Sequence, residues 1–145
     1  WKIGYMCAPP LLSEAARAVH QWVTFAVNTP IQIAFSKILP ISGEYSRNFC
    51  AEMEKRRNFL TEKATEWGFD PIKSAGSYFF MATFDRISDL DDMKFMEYMI
   101  REKQVALIPA SPFYLNAMDE GKRLVRFNFV KSMEALEKAA ENMRR

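Results

Sequence analysis

The stretch 122-KRLVRFNFVK-131 constrains the fold more than any other part of the chain. Side chains alternate sides along a β-strand, so Val125, Phe127 and Phe129 would share one face and Arg126 would lie on the other. The apolar face requires a hydrophobic core, whereas the polar face meets water or a polar ligand. From these residues alone, Arg126 either contacts such a ligand or is an edge arginine that extends into solvent.

A core of this kind is feasible, because 49% of the 145 residues are hydrophobic. The charges nearly balance, with 20 basic against 18 acidic residues, so neither nucleic acid nor an anionic membrane is expected as a partner. No apolar run approaches the length of a membrane span. Cys7 and Cys50 are too few for a disulfide framework and lack metal-ligand spacing, which favours reduced thiols in the cytoplasm and no metal site.

The first half of the chain is predicted to be mostly helical, because apolar residues recur at helical spacing. We expect a strand over 2–8 and helices over 13–27, 29–39 and 45–67. Ser13 and Thr29 would cap the first two helices, and Gly68 would end the third. Side chains predicted to face inward on the first and third helices are Ala16, Val19, Val23, Tyr45, Phe49, Met53, Leu60, Ala64 and Trp67.

The second half changes character after Gly76 and becomes aromatic and rich in β-formers. Strands are expected over 77–85, 105–109 and 122–131, with a loop over 110–121. Helices would begin near Ser88 or Asp89, with Leu90, Met93, Met96 and Ile100 inward, and after Ser132, with Met133, Leu136, Ala140 and Met143 inward. The predicted fold class is α/β: an α+β domain whose helices pack on a mostly antiparallel sheet, with Phe79, Phe127 and Phe129 buried.

No catalytic arrangement can be derived from residue spacing. His20 is the only histidine and belongs to no motif, and five glycines form no phosphate-binding loop. The nine methionines lie mostly at helical spacing, which is typical of core residues.

Five stretches, taken in order, resemble fold-type I pyridoxal-phosphate-dependent aminotransferases of classes I and II. They are 1-WKIGY-5, 19-VHQWVTFAVNTPIQ-32, 76-GSYFFMATFD-85, 107-LIPASPFY-114 and 124-LVRFNFVK-131. The second stretch is similar to the branch that contains methionine aminotransferases and kynurenine/glutamine transaminases. The resemblance implies an enzyme that moves the α-amino group of a methionine, glutamine or aromatic type of amino acid to a 2-oxo acid, working as a homodimer.

The resemblance also implies roles for particular residues. Arg126 matches the arginine that binds the substrate α-carboxylate, and Lys2 matches a cation that contacts the phosphate of pyridoxal 5'-phosphate. Phe25 matches an aromatic residue that reaches into the substrate pocket of the neighbouring subunit. Residues 109–113 and 76–78 would line the mouth of the pocket, where Gly76 would allow close approach of the chain.

The same resemblance implies that the chain contains parts of two domains. Residues 1–40 would end the large cofactor-binding domain, and residues 41–145 would form the C-terminal small domain, with a break at Ser42-Gly43. The Schiff-base lysine of the family motif would lie a few residues before Trp1, so no catalytic residue is assigned within this chain. The chain alone is therefore expected to be inactive.

Two other functions stay open. A pyridoxal-phosphate-dependent C–S β-lyase shares the fold and has an equivalent carboxylate-binding arginine. A non-catalytic binding or dimerisation module is the other alternative, since an unpaired strand over residues 1–8 would favour association.

Overall fold

A computed structural model of the chain describes residues 2–115 and 118–144, except the side chain of Met118. Two compact units are present: the first ends at Asn48 and the second begins at Phe49. The sheet and the hydrophobic core described here both belong to the second unit.

The first unit is helical. It contains α1 (Pro10–Val23), α2 (Thr29–Ile38) and a 3-10 turn over Leu39–Ile41. Two predicted caps were wrong. Proline suits the first turn because it has no N–H to leave unpaired, so α1 begins at Pro10 and Ser13 lies inside it. Asn28, and not Thr29, caps α2, because its side-chain oxygen accepts a hydrogen bond from the N–H of Ile31 at 3.2 Å.

The predicted strand over residues 2–8 is not formed, since the backbone there is irregular. A strand needs a partner to satisfy its N–H and C=O groups, and no described residue pairs with this segment. The predicted inward face of α1 is likewise not buried among the described residues: Val19 is 63% and Val23 is 79% exposed.

The second unit is an α+β layer, as predicted. Its helices and strands are α3 (Gly43–Glu66, which begins in the first unit), β1 (Asp70–Pro71), β2 (Phe79–Thr83), α4 (Asp92–Lys103), β3 (Ile108–Pro109), α5 (Met118–Gly121), β4 (Leu124–Asn128) and α6 (Met133–Arg144). The sheet order is β1-β2-β4-β3, and every described pair of strands is antiparallel. Gly68 leaves α3 at a φ of +91°, and Ser132 caps α6, both as predicted.

The core lies on the face of the sheet that the alternation predicts. Val125, Phe127 and Phe129 are each at most 3% exposed. The ring of Phe127 stacks on that of Phe80, with centroids 5.1 Å apart, and residues of α3, α4 and α6 complete the cluster. Phe79, which was predicted to be buried, is only partly buried, because the register places it on the opposite face together with Arg126.

Three further expectations need correction. Helix α4 begins at Asp92, later than predicted, because Asp91 caps it by accepting from the N–H of Lys94 at 2.8 Å. Its buried apolar residues are Phe95 and Met99, which lie on a different face from the predicted one: Leu90, Met93 and Ile100 are exposed and Met96 is partly buried. Tyr45 is 71% exposed, and β3 covers only Ile108–Pro109. The predicted loop 110–121 contains a 3-10 turn over Ser111–Phe113 and the helix α5; its residues 116 and 117 lie outside the described residues.

Candidate functional site

Arg126 lies in the middle of β4, which is an interior strand of the sheet. Its Cα is opposite that of Met81 on β2 and that of Ile108 on β3. A strand with neighbours on both sides is held at both edges by backbone hydrogen bonds, so the direction of its side chains is well defined. The position of Arg126 is therefore fixed by the sheet and is not that of an edge residue.

Two aromatic rings lie against the guanidinium group. The Cζ atom of Arg126 is 4.8 Å from the ring centroid of Phe79 and 5.2 Å from that of Phe113. Both distances suit cation–π attraction, which orients the guanidinium and partly removes it from water. Phe79 comes from the neighbouring strand β2, whereas Phe113 comes from the 3-10 turn Ser111–Phe113 that follows β3.

The Nε–H of Arg126 is buried and has no acceptor among the described residues. No described carboxylate forms an ion pair with this guanidinium, although Arg56, Arg57, Arg86 and Arg123 each pair with a carboxylate. Buried polar groups without a partner are rare and call for a specific explanation. A planar guanidinium with donors unused binds a carboxylate through two parallel hydrogen bonds, so the arrangement suits a carboxylate ligand.

A buried carboxylate binds the backbone of the turn that carries Phe113. Asp92, which is 1% exposed, accepts a hydrogen bond from the N–H of Ser111 at 2.7 Å. Gly121 packs closely against the same residue: a Cβ atom there would lie 2.6 Å from the Cα of Ser111. Only glycine leaves room for so close a backbone contact. The turn is therefore fixed by packing and by a charge-assisted hydrogen bond.

Residues 76–78 lie on the approach to β2. Tyr78 is 55% exposed, and the hydroxyl of Ser74 donates to the carbonyl of Gly76 at 2.6 Å. Ser77 has a φ of +69°, the left-handed conformation that costs energy for a residue with a Cβ atom. Among the described residues, no heavy atom lies within 4 Å of the position that a Cβ of Gly76 would take, so the close approach expected there stays a prediction.

Lys2 and Phe25 belong to the first unit. Lys2 is exposed, and it forms no hydrogen bond or ion pair with the residues that the structure describes. Phe25 is 85% exposed and follows α1 with a φ of +63°. An exposed ring on a left-handed residue does not contribute to a core, so Phe25 is available to a ligand or to another chain. Their roles stay predictions.

Asp92 and Phe79 are the residues of this site that sequence reasoning missed. An aspartate in the first turn of a helix is usually solvated and stabilises the helix N-terminus, so its sequence position gives no sign of burial. Its partner Ser111 lies nineteen residues away and becomes visible only in three dimensions. Phe79 could have been found from the sequence: if β2 pairs with β4, the alternation of side chains along β2 places the Phe79 ring on the same face as Arg126.

Other kinds of site are not found in the part of the chain that the structure describes. No group of three or more His, Cys, Asp or Glu side chains there could hold a metal ion. None of the helices within 2–115 and 118–144 is long and apolar enough to cross a membrane.

Comparisons with known proteins agree on one family. The family model described as "Aminotransferase class I and II" matches residues 1–143. The methionine aminotransferase of Escherichia coli K12 is 33% identical over 144 residues, which cover 99% of this chain and 37% of that protein. The kynurenine–oxoglutarate transaminase of Dictyostelium discoideum is 29% identical, with the same two coverages of 99% and 37%.

Solved structures agree in fold. YbdL of Escherichia coli, described as having a methionine aminotransferase function, superposes with a TM-score of 0.80 at 32% identity, over 94% of this chain and 35% of that one. N-succinyldiaminopimelate aminotransferase of Mycobacterium tuberculosis gives a TM-score of 0.81 at 29% identity, with coverages of 94% and 35%. The chain thus spans little more than a third of the length of these relatives. With this match of sequence and fold, the chain belongs to the class I and II aminotransferase family and has the fold of a fold-type I aminotransferase domain.

Proposed function

We propose that this chain is the C-terminal portion of a longer pyridoxal-phosphate-dependent aminotransferase, and that Arg126 binds the α-carboxylate of its substrates. The observation that carries the proposal is the buried, unpaired Nε–H of Arg126 beside Phe79 and Phe113. A bidentate clamp holds every amino acid by the group that all amino acids share. It therefore fixes the orientation of the substrate Cα without selecting the side chain.

The residues around Arg126 suit an amino acid or 2-oxo acid of methionine, glutamine or aromatic type. Phe113 is 64% exposed and offers an apolar ring beside the carboxylate position. Relatives named methionine aminotransferase and kynurenine–oxoglutarate transaminase support the methionine and aromatic types among these. Ordering the substrate between a fixed guanidinium and an apolar ring supplies orientation and excludes water, which together lower the barrier to proton removal at Cα.

Lys2 is the residue of this chain that would hold the cofactor, through its phosphate. The exposed ammonium has no partner within the described residues, and a compact cation of this kind suits a phosphate oxygen. Pyridoxal 5'-phosphate, when bound, supplies the electron-withdrawing ring that the reaction needs. The lysine that binds it covalently and the groups that hold its ring would come from the preceding part of the protein. We therefore propose that residues 1–40 end the large domain and that the 145-residue chain alone is inactive.

The assembly proposed is a homodimer in the cytoplasm. Phe25 would enter the substrate pocket of the partner subunit, which its 85% exposure allows. The exposed, unpaired thiols of Cys7 and Cys50 are compatible with a reducing compartment.

An assay of the full-length protein tests the reaction. Loaded with pyridoxal phosphate, it should convert methionine and a 2-oxo acid into the methionine-derived 2-oxo acid and the matching new amino acid in equal amounts. The matched control is S-substituted cysteine without an acceptor, which a C–S lyase converts with water into the thiol, pyruvate and ammonia. If the protein releases pyruvate and ammonia but does not transfer the amino group, it is a C–S lyase and the aminotransferase proposal fails.

A further inference from the structure

We infer that Asp92 is a positioning residue for the carboxylate site, acting through the turn that carries Phe113; the inference rests on the proposed role of Arg126. Asp92 forms no described contact with Arg126, and its carboxylate would not touch the ligand. Its carboxylate holds the backbone of Ser111, and the turn from Ser111 to Phe113 sets the distance between the aromatic ring and the guanidinium.

The first link in this chain of contacts is the hydrogen bond between Asp92 and Ser111. Both residues are buried, at 1% and 5% exposure, and the N–H of Ser111 lies 2.7 Å from Oδ2 of Asp92. A charged acceptor in a buried environment gives a strong and directional hydrogen bond. Asp92 is the second acidic residue at the start of α4, after Asp91, yet only Asp91 serves as the helix cap. The carboxylate of Asp92 is thus directed away from its own helix, onto a residue nineteen positions later.

The second link is the stiffness of the turn itself. The N–H of Phe113 donates to the carbonyl of Ala110 at 3.0 Å, and the N–H of Tyr114 donates to that of Ser111 at 3.1 Å. Two such bonds within the five residues 110–114 make the turn move as a unit. A displacement of Ser111 therefore displaces the Phe113 ring, which lies 5.2 Å from the Cζ atom of Arg126.

Binding of 3-phenylpropanoate to the cofactor-loaded full-length protein, measured by calorimetry, tests the inference. This probe carries a carboxylate and an apolar side chain but no amino group, so it cannot be transaminated. Asp92→Ala should weaken binding about tenfold, because small displacements of a preorganised site reduce its affinity strongly. Asp92→Asn keeps an acceptor oxygen and should restore most of the affinity. The matched control is Glu97→Ala, at an exposed acidic residue of the same helix that forms no ion pair with the described residues; it should bind the probe like wild type.

Amide exchange at Ser111 separates positioning from loss of folding. The exchange should be faster in Asp92→Ala than in wild type and near normal in Asp92→Asn. Asp92→Leu, which fills the buried space without an acceptor, replaces Asp92→Ala if that variant does not fold. If neither folds, exchange at Ser111 in wild type should slow when the probe binds, and unchanged exchange would overturn the inference.

Two different failures can be told apart. Should Arg126→Lys bind 3-phenylpropanoate as well as wild type does, the proposed function itself fails. If Arg126→Lys weakens binding but Asp92→Ala does not, or if Glu97→Ala weakens it equally, the carboxylate site stands and the role of Asp92 is refuted.

Discussion

The Cζ atom of Arg126 lies 4.8 Å from the ring centroid of Phe79, on the face of the sheet opposite the hydrophobic core. The pairing follows from the register of β2 and β4, in which Phe79 is opposite Asn128 and Met81 is opposite Arg126. Diagonal neighbours of this kind are within reach of long and aromatic side chains. The sheet thus supplies one ring beside the guanidinium, and the turn after β3 supplies the other.

Gly121→Ala should destabilise the second unit by about 1–3 kcal/mol, because the new Cβ would collide with the backbone of Ser111. Backbone atoms cannot rotate away as a flexible side chain can, so either the turn or α5 must move. The free energy of opening is measured by hydrogen exchange at amides of β2 and β4. The matched control is Gly76→Ala, where no described atom lies within 4 Å of the new Cβ; it should stay within about ±0.5 kcal/mol. Equal effects of the two substitutions would contradict this account of the turn.

The start of α4 should depend on pH through Asp91. The hydrogen bond from the backbone N–H of Lys94 is the largest cause that holds the pKa of Asp91 below its ordinary value of 3.8. Because the folded-state pKa is lowered, the stabilisation is present above pH 3.8 and is lost as the pH falls through the lower, folded-state pKa. Asn caps helices as well but carries no charge, so Asp91→Asn serves as the comparison.

Unfolding of the wild type and of Asp91→Asn, followed from neutral pH downwards, checks this expectation. The difference in stability between the two should be constant at neutral pH and should shrink in acid, below the ordinary pKa of an aspartate. A difference that does not change with pH would show that the charge of Asp91 is not involved.

Phe25 should act on the partner's substrate site. Consider a hybrid dimer with Arg126→Lys in one subunit and Phe25→Ala in the other. If Phe25 enters the site of the partner subunit, both substitutions affect the same site, and the second site is intact. Such a hybrid should keep about half of the wild-type activity per dimer, since the sites are independent to a first approximation. Activity no higher than that of the two homodimeric variants would mean that Phe25 acts within its own subunit.

The 145-residue chain by itself should not transaminate when mixed with pyridoxal phosphate, an amino acid and a 2-oxo acid. The physical reason is that the protein must supply both the covalent lysine and the groups that hold the ring, and these are assigned to the preceding part of the protein. Formation of the new amino acid is measured chromatographically, beside the full-length protein as a positive control. Turnover by the isolated chain would overturn the assignment of the covalent lysine and the ring-binding groups to the preceding part of the protein.

Alternation along β4 correctly predicted which side chains face the core, because the local strand pattern and the tertiary packing agree there. Val125, Phe127 and Phe129 are buried as expected, and Leu136 and Ala140 of α6 face the same core. The residues chosen for α4 were wrong because apolar side chains lie on more than one face of this helix, and the buried face is the one that carries Phe95 and Met99. Competing caps, such as Ser88 and Asp91, are not ranked by sequence alone, since each has a side chain that can accept from a backbone N–H.

For the candidate site, the resemblance identified Arg126, and its environment came only from the structure. The unpaired Nε–H depends on burial, which is a tertiary property. Asp92 could not be predicted because its hydrogen bond to Ser111 joins distant parts of the chain. Segment 2–8 was misassigned because an apolar run has strand propensity with or without a partner strand.

Steady-state kinetics of Arg126→Lys in the full-length protein test the central claim most directly. Lysine keeps the charge but loses the bidentate fork, and one hydrogen bond to a charged group is worth about 1.5–3 kcal/mol, so kcat/KM should fall by about one to two orders of magnitude. The loss should be similar for methionine and phenylalanine, because the carboxylate is common to both, and cofactor content should be unchanged. Arg86→Lys, at an exposed ion pair with Asp70, is the matched control and should behave like wild type. A loss confined to one of the two amino acids, or no loss at all, would contradict the assignment of Arg126 as the carboxylate clamp.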